Sequence, residues 1–388
     1  MNLSFSKQRS HAFDLYRATA VLAVIIGHIG LYMEGELHGA VKFFLVTPIN
    51  YGVPLFFIIS GYLLSGSISS LRAIPGTTYF KSLKRFYYLR VCRIYPAYIF
   101  WLFIIWALGN DIFSADSNLL NLLNSGIQTG NTPVPISDLI THILNIHNLF
   151  PQYSRTINPV FWTLAVEFQW YLIAPALFYL MLGKSNRIML MTFAAILIIS
   201  ICSRNWVIWS YFENKISIAE LWRLSNEQVY VELYSFALGI IIWRFRKSGF
   251  RLSGKFMISA WSALLLIAFY TYSFYFAIDG KCGMGIEQLN SREGYIQFTL
   301  ISNMKYISQI ILAYIVFYYR NISLHQTLYP AVKYTALISY SMYILHYPIL
   351  TQIFSPTEDF ISAFISCMFI TFLVSTVSYL FIEKPFMK

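Results

Sequence analysis

Two ionisable residues, Arg17 and His28, lie in the first long apolar stretch of the sequence, FDLYRATAVLAVIIGHIGLYM. An arginine binds anions, and a neutral histidine takes a proton from a hydroxyl group. In hydrocarbon such a side chain costs about 3 kcal/mol on insertion scales, so a functional site is the first hypothesis. The alternative is structural: Asp14 and Arg17 hold the start of a helix, and His28 makes a contact between helices.

Helical geometry places Arg17 and His28 on one face. The step between them comes to about three full turns, with a rise of about 16 Å. Asp14 precedes Arg17 by one turn on this face and can pair with it. The spacing therefore predicts an anion-binding residue near one end of a helix and a base deeper along it.

The composition is that of a polytopic membrane protein. The 388 residues are 57% hydrophobic and only 12% charged, and the mean hydropathy is +0.57. The net charge of +11 resides in short loops between apolar stretches, which is typical of topology signals and not of a nucleic-acid surface. We expect one integral membrane domain over residues 1–388, without an appended soluble domain.

The elements that must position these residues are apolar segments long enough to cross a bilayer. We predict an all-α bundle of about ten transmembrane helices, with both termini cytoplasmic because most lysines and arginines then fall on the inner side. The predicted segments are residues 13–33, 43–65, 94–109, 160–182, 188–203, 229–244, 256–277, 298–318, 334–353 and 360–382.

The longest outer connection, residues 110–159, is predicted to form a lid over an outer vestibule. Its His142 and His147 are interpreted as loop or interface residues, because their spacing does not stack them on one helical turn. The four cysteines are isolated in sequence, so no metal site is predicted. Whether Cys202 and Cys282 form a disulfide is left open by the sequence.

Six stretches, in order, resemble the acyltransferase 3 family of membrane proteins. They are FDLYRATAVLAVIIGH, GVPLFFIISGYLLS, RVCRIYPAY, FWTLAVEFQWYLIAP, ISYSMYILHYPIL and FIEKPF. The resemblance implies O-acetylation of a cell-surface glycan, with acetyl-CoA as acyl donor, by a multi-pass protein of the bacterial inner membrane. One departure is Phe168, where family members often have a second acidic residue, so a mechanism that needs two adjacent carboxylates is not expected.

Arg90 and Arg93 lie one helical turn apart at the predicted inner edge of the third segment. Such a cluster binds phosphates or anchors the chain at the cytoplasmic surface. The family resemblance implies an acyl-CoA and so favours phosphate binding. Ser60, Gly61 and Tyr62 end a stretch in which small residues allow close approach of a helix or a ligand.

Glu167 lies within the fourth segment, near Trp162 and on the same face as Tyr171. A buried carboxylate needs a partner, and His28 or an acceptor hydroxyl are candidates. The alternative is an ion pair with Arg17 or Lys305. His346 lies in an aromatic stretch that also fits a membrane interface.

Together with what the family resemblance implies, these observations predict an acyltransferase in which basic residues hold the phosphates of acyl-CoA and His28 is the general base. An O-antigen, a capsule, another envelope glycan or a lipid-linked precursor fits as acceptor. The competing hypothesis is a transporter or flippase for a polar or lipid-linked substrate. The site predictions are His28, Glu167 and Asp14 as catalytic residues, Arg17, Arg90, Arg93, Ser60 and Tyr62 as acyl-CoA-binding residues, and Trp162, Tyr171 and His346 as acceptor-binding residues.

Overall fold

The computed structural model describes residues 10–32, 39–76, 78–108, 135–246, 254–278, 292–353 and 359–387, and all regular structure in these ranges is helical. The α-helices are α1 His11–Tyr32, α2 Gly39–Val46, α3 Ile49–Arg72, α4 Tyr79–Leu108, α5 Ile136–Ile143, α6 Trp162–Leu182, α7 Asn186–Phe212, α8 Ile218–Asn226, α9 Val229–Phe245, α10 Gly254–Ile278, α11 Arg292–Tyr318, α12 Tyr329–Ile353 and α13 Phe360–Ser378. Every predicted apolar segment falls mainly in one of these helices, which confirms the all-α bundle.

Within the described residues, seven helices are long and apolar enough to cross a membrane. Helices are the expected solution because a backbone in lipid must satisfy its own polar groups. Trp206 on α7 and Phe369 on α13 are 65% and 67% exposed, together with other apolar side chains of these helices. Such faces fit contact with lipid.

The centre of the bundle is α1, which packs between α3 and α12. Its Val21, Val24 and Ile25 are completely buried. On its other side α3 packs along α9, where the backbones come unusually close because Gly61 faces Gly239. This packing brings residues from distant parts of the chain together around the buried face of α1.

The outer connection differs from the sequence interpretation. His142 on α5 and His147 are buried, and their rings stack at 3.8 Å between centroids. The stacking arises because Asn145 adopts φ 54°, a left-handed conformation that ends the helix and turns the chain back. The two residues do lie in the connection before α6, but a position at the membrane interface is wrong, because both side chains pack inside.

Two further expectations concern this side of the chain. Residues 110–134 of the predicted lid lie outside the described residues. Cys202 is a free thiol, whereas Cys282 also lies outside the described residues.

Candidate active site

A cavity opens between α1, α3, α4, α6 and α12, with about 830 Å³ of empty space including its mouth. Six residues singled out in the sequence line it: Arg17, Ser60, Arg90, Arg93, Glu167 and Tyr171. These residues come from four helices, so only the packing of the bundle brings them together. Among the described residues, three arginines and one acidic residue line the cavity, so the charge of its lining favours an anion over a cation.

Arg90 and Arg93 enter the cavity from within a helix. Helix α4 begins at Tyr79, well before the predicted apolar segment, so both arginines are interior helical positions one turn apart. The Arg90 guanidinium lies 5.9 Å from the centre of the Phe86 ring and interacts electrostatically with Glu167 and Tyr171. This side chain is therefore held in place by a ring and a carboxylate.

Glu167 is the anionic centre of the cavity. Its Oε1 accepts a hydrogen bond of 3.1 Å from Ser60 Oγ and one of 2.7 Å from the Tyr171 hydroxyl. The alternative of an ion pair with Lys305 is wrong, because the Lys305 ammonium pairs with Glu232 at 2.6 Å. Ser60 therefore does more than pack: its hydroxyl helps to fix the carboxylate that faces Arg90.

His28 and His346 meet at the deeper end of α1. His346 Nε2 lies 3.1 Å from His28 Nδ1. His28 Nδ1 also lies 3.0 Å from the carbonyl oxygen of Val24, one turn earlier in its own helix. The ring of Tyr347 meets the His28 ring edge-on at 5.4 Å between centroids. Sequence spacing could not pair two histidines that are 318 positions apart.

Tyr343 connects the histidines with the cavity. It lines the cavity, and its ring centre lies 5.7 Å from that of His346. Thr163, another lining residue, donates a hydrogen bond of 2.8 Å to the Tyr343 hydroxyl. Sequence reasoning gave neither residue a role, although Tyr343 precedes His346 by about one helical turn and so shares its face.

The remaining predicted residues lie around this centre. Asp14 is buried, and its Oδ2 accepts a hydrogen bond of 3.0 Å from the Tyr329 hydroxyl. Tyr62 stacks on Phe13, and Trp162 meets the ring of Phe57 edge-on. These three residues are not among those that line the cavity, so their predicted roles stay predictions.

Glu383 is a further buried acid near the cavity. The α-helix α13 ends at Ser378, and a π-helical turn over Tyr379–Glu383 follows. Ser341 donates a hydrogen bond to the Glu383 carboxylate, which also interacts electrostatically with Arg93. The predicted apolar segment ends at residue 382, just before this acid, and in the structure Glu383 ends the π turn in a buried position.

Residues 10–380 match the profile of a family described as "Acyltransferase domain". The chain belongs to the acyltransferase 3 family. This membership confirms the family resemblance. Five of the six stretches lie within the matched residues, and FIEKPF follows directly after them. The membership makes the protein an acyltransferase whose apolar helices fit a multi-pass membrane protein.

A relative from Haemophilus influenzae, named only "Uncharacterized protein", is 30% identical over 175 residues, which are 44% of this chain and 67% of that protein. No solved structure matches the chain.

Proposed function

We propose that this acyltransferase 3 protein moves an acetyl group from cytoplasmic acetyl-CoA to a hydroxyl group of a cell-envelope glycan, with His28 as the general base. The observation that carries the proposal is the arginine-rich cavity beside the same helix that carries His28. The bacterial inner membrane is the proposed location.

The donor half of the proposal rests on Arg17, Arg90 and Arg93. All line one cavity and come from two helices, an arrangement that suits an anion bound between them better than a simple surface belt would. A guanidinium group can donate two parallel hydrogen bonds to the oxygens of one phosphate, which suits the phosphates of coenzyme A. The thin pantetheine arm then extends along α1, whose rise from Arg17 to His28 is about 16 Å.

The base half rests on the neutral ring of His28. Its Nδ1 faces the Val24 carbonyl oxygen and the His346 ring, which leaves Nε2 as the nitrogen for chemistry. The acceptor hydroxyl gives its proton to Nε2, and its oxygen attacks the thioester carbonyl carbon. The carbon–sulfur bond then breaks, and the leaving thiolate receives the proton from His28.

The acceptor approaches from the side of the bundle opposite to Arg17, Arg90 and Arg93. Arg155, in the loop before α6, interacts electrostatically with His28 and is held by a hydrogen bond of 2.7 Å from its Nε to Glu227 Oε1. A fixed guanidinium near the base suits a polar or acidic glycan. In this arrangement the coenzyme never has to cross the membrane.

The test measures label transfer from labelled acetyl-CoA in membranes that contain equal amounts of wild type, His28→Ala or His325→Ala. His325 is an exposed histidine on the loop before α12 and serves as the control. We expect labelled glycan with wild type and the control, and a loss of about 10²- to 10⁴-fold with His28→Ala.

Two results contradict the proposal in different ways. Equal labelling by His28→Ala overturns the role of His28 as base. No labelling by wild type, with acceptor-rich membranes supplied, overturns acetyl transfer to a glycan and leaves substrate movement across the membrane to be measured instead.

A further inference from the structure

His346 is buried beside His28 and has defined contacts at both ring nitrogens. Its Nδ1 lies 2.8 Å from the Tyr343 carbonyl oxygen and 3.2 Å from that of Met342. Its Nε2 lies 3.1 Å from His28 Nδ1. The two rings therefore touch through one specific pair of nitrogens.

These contacts determine where the protons lie. A carbonyl oxygen only accepts, so His346 Nδ1 carries a hydrogen and donates it to Tyr343. In the neutral ring His346 Nε2 is then an acceptor. His28 Nδ1 faces two acceptors, this nitrogen and the Val24 oxygen, and must carry a hydrogen. The opposite assignment would point lone pairs at carbonyl oxygens in both rings.

We propose that His346 is a positioning residue: its Nε2 accepts the Nδ1 hydrogen of His28 and so keeps Nε2 of His28 unprotonated for catalysis. This inference rests on the proposed role of His28 as base. It also changes the predicted role of His346, which becomes a support for the base and not a contact of the acceptor. The orienting partner of a catalytic histidine is commonly an acceptor at the second nitrogen.

The arrangement supports orientation and excludes a proton relay through His346. Its Nδ1 hydrogen is directed to a peptide carbonyl oxygen, which is not a proton acceptor at ordinary pH. The proton that His28 takes from the hydroxyl group therefore stays within the His28–His346 pair, because it can move no further than His346 Nε2 before His28 returns a proton to the leaving thiolate. Tyr347 lies edge-on to both rings, at 5.4 Å from His28 and 6.4 Å from His346, and restricts their rotation.

The experiment compares His346→Leu with His346→Gln in the purified full-length protein, with acetyl-CoA as donor. Leucine removes the acceptor, whereas the glutamine Oε1 can replace Nε2 as an acceptor. We expect kcat to fall by about 10- to 100-fold in His346→Leu, as for other orienting partners, with KM for acetyl-CoA unchanged. Most of the activity should return in His346→Gln.

A spectroscopic readout tests the tautomer without relying on activity. In protein labelled with ¹⁵N-histidine, the His28 signals are identified by their absence in His28→Gln. We expect one tautomer with hydrogen on Nδ1 in wild type and His346→Gln. In His346→Leu, where only the Val24 carbonyl oxygen remains as acceptor, we expect a measurable share of the other tautomer. A wild-type signal with hydrogen on Nε2, or equal kcat in wild type and His346→Leu, overturns the inference.

Failure of this inference is distinguishable from failure of the proposed function. If His28→Ala is inactive while His346→Leu retains full kcat, the base stands and the positioning role falls. If His28→Ala retains full activity, the base itself is wrong. Thermal unfolding of the two His346 variants checks that both are folded, and the tautomer measurement in wild type remains decisive if neither is.

Discussion

The contact between α3 and α9 gives a sharp prediction, because it joins two backbones directly. A Cβ atom added at Gly61 would lie 2.1 Å from the Phe236 carbonyl oxygen. One added at Gly239 would lie 2.1 Å from the Ile58 carbonyl oxygen. Neither oxygen can turn aside as a side chain can, so Gly61→Ala must push the two helices apart.

The size of the effect follows from this geometry. Ordinary contacts of a Cβ atom begin at 3.4 Å, so α3 and α9 must separate by roughly 1 Å. The separation loosens the stacked Phe57 and Phe236 rings, whose centroids are 4.6 Å apart. Overpacking of this kind costs about 1–3 kcal/mol of stability.

The same shift reaches the cavity through the neighbouring residue. Ser60 precedes Gly61, and its hydroxyl lies 3.1 Å from Glu167 Oε1. A displacement of about 1 Å at a reacting site reduces the rate by about 10²-fold. We therefore expect Gly61→Ala to lose both stability and acetyl transfer.

The assay measures thermal unfolding in detergent and label transfer from acetyl-CoA, with Gly66→Ala as the matched control. Gly66 lies on the same helix, but its added Cβ would meet the outer ring atoms of Trp243 at 2.9 Å, and a side chain can move. We expect a much smaller loss in this control. If Gly61→Ala unfolds and reacts like wild type, or if both variants lose activity equally, the reasoning from backbone contact is refuted.

Two further predictions concern charge. Arg90→Gln should raise KM for acetyl-CoA by about 10-fold or more, because it removes a charged hydrogen-bond donor from the cavity. The control Lys84→Gln, at an exposed position of α4, should leave KM unchanged. Equal KM values in the two variants would contradict phosphate binding by Arg90. Burial lowers the pKa of His147, and the stacked His142 lowers it further. The unfolded chain therefore binds a proton more readily than the folded protein does. Below about pH 6.5 the free energy of unfolding should fall by up to about 1.4 kcal/mol per pH unit. Thermal unfolding at neutral and acidic pH should show a weaker pH dependence of stability in His147→Phe and an unchanged one in the control His325→Phe. If His147→Phe keeps the pH dependence of wild type, other groups cause it.

Much of the site's local geometry could be predicted from single helices. The period of the α-helix fixes the direction of side chains along one segment, so Arg17 and His28 were expected on one face before any packing was known. The same rule placed Tyr171 beside Glu167, and the structure shows the hydrogen bond between them. Apolar length identified the segments because lipid permits no unpaired backbone.

Contacts between helices were beyond sequence reasoning. Helical period does not tell how one helix is rotated against its neighbour, so neither the His28–His346 contact nor the binding of Ser60 to Glu167 could be derived. Lys305 illustrates the same limit. It was a candidate partner for Glu167 by charge alone, but in the packed bundle it forms an ion pair with Glu232.

Backbone irregularities were also decided only by the fold. The left-handed Asn145 stacks His147 on His142, and the π turn that ends at Glu383 turns this acid toward the core. Both features break the regular period on which sequence patterns rely. The sequence by itself determined which helices form and which side chains each helix presents together, because these depend on local hydrogen bonding and hydropathy. The tertiary structure decided which of those faces meet, because that depends on the fit of whole helices against one another.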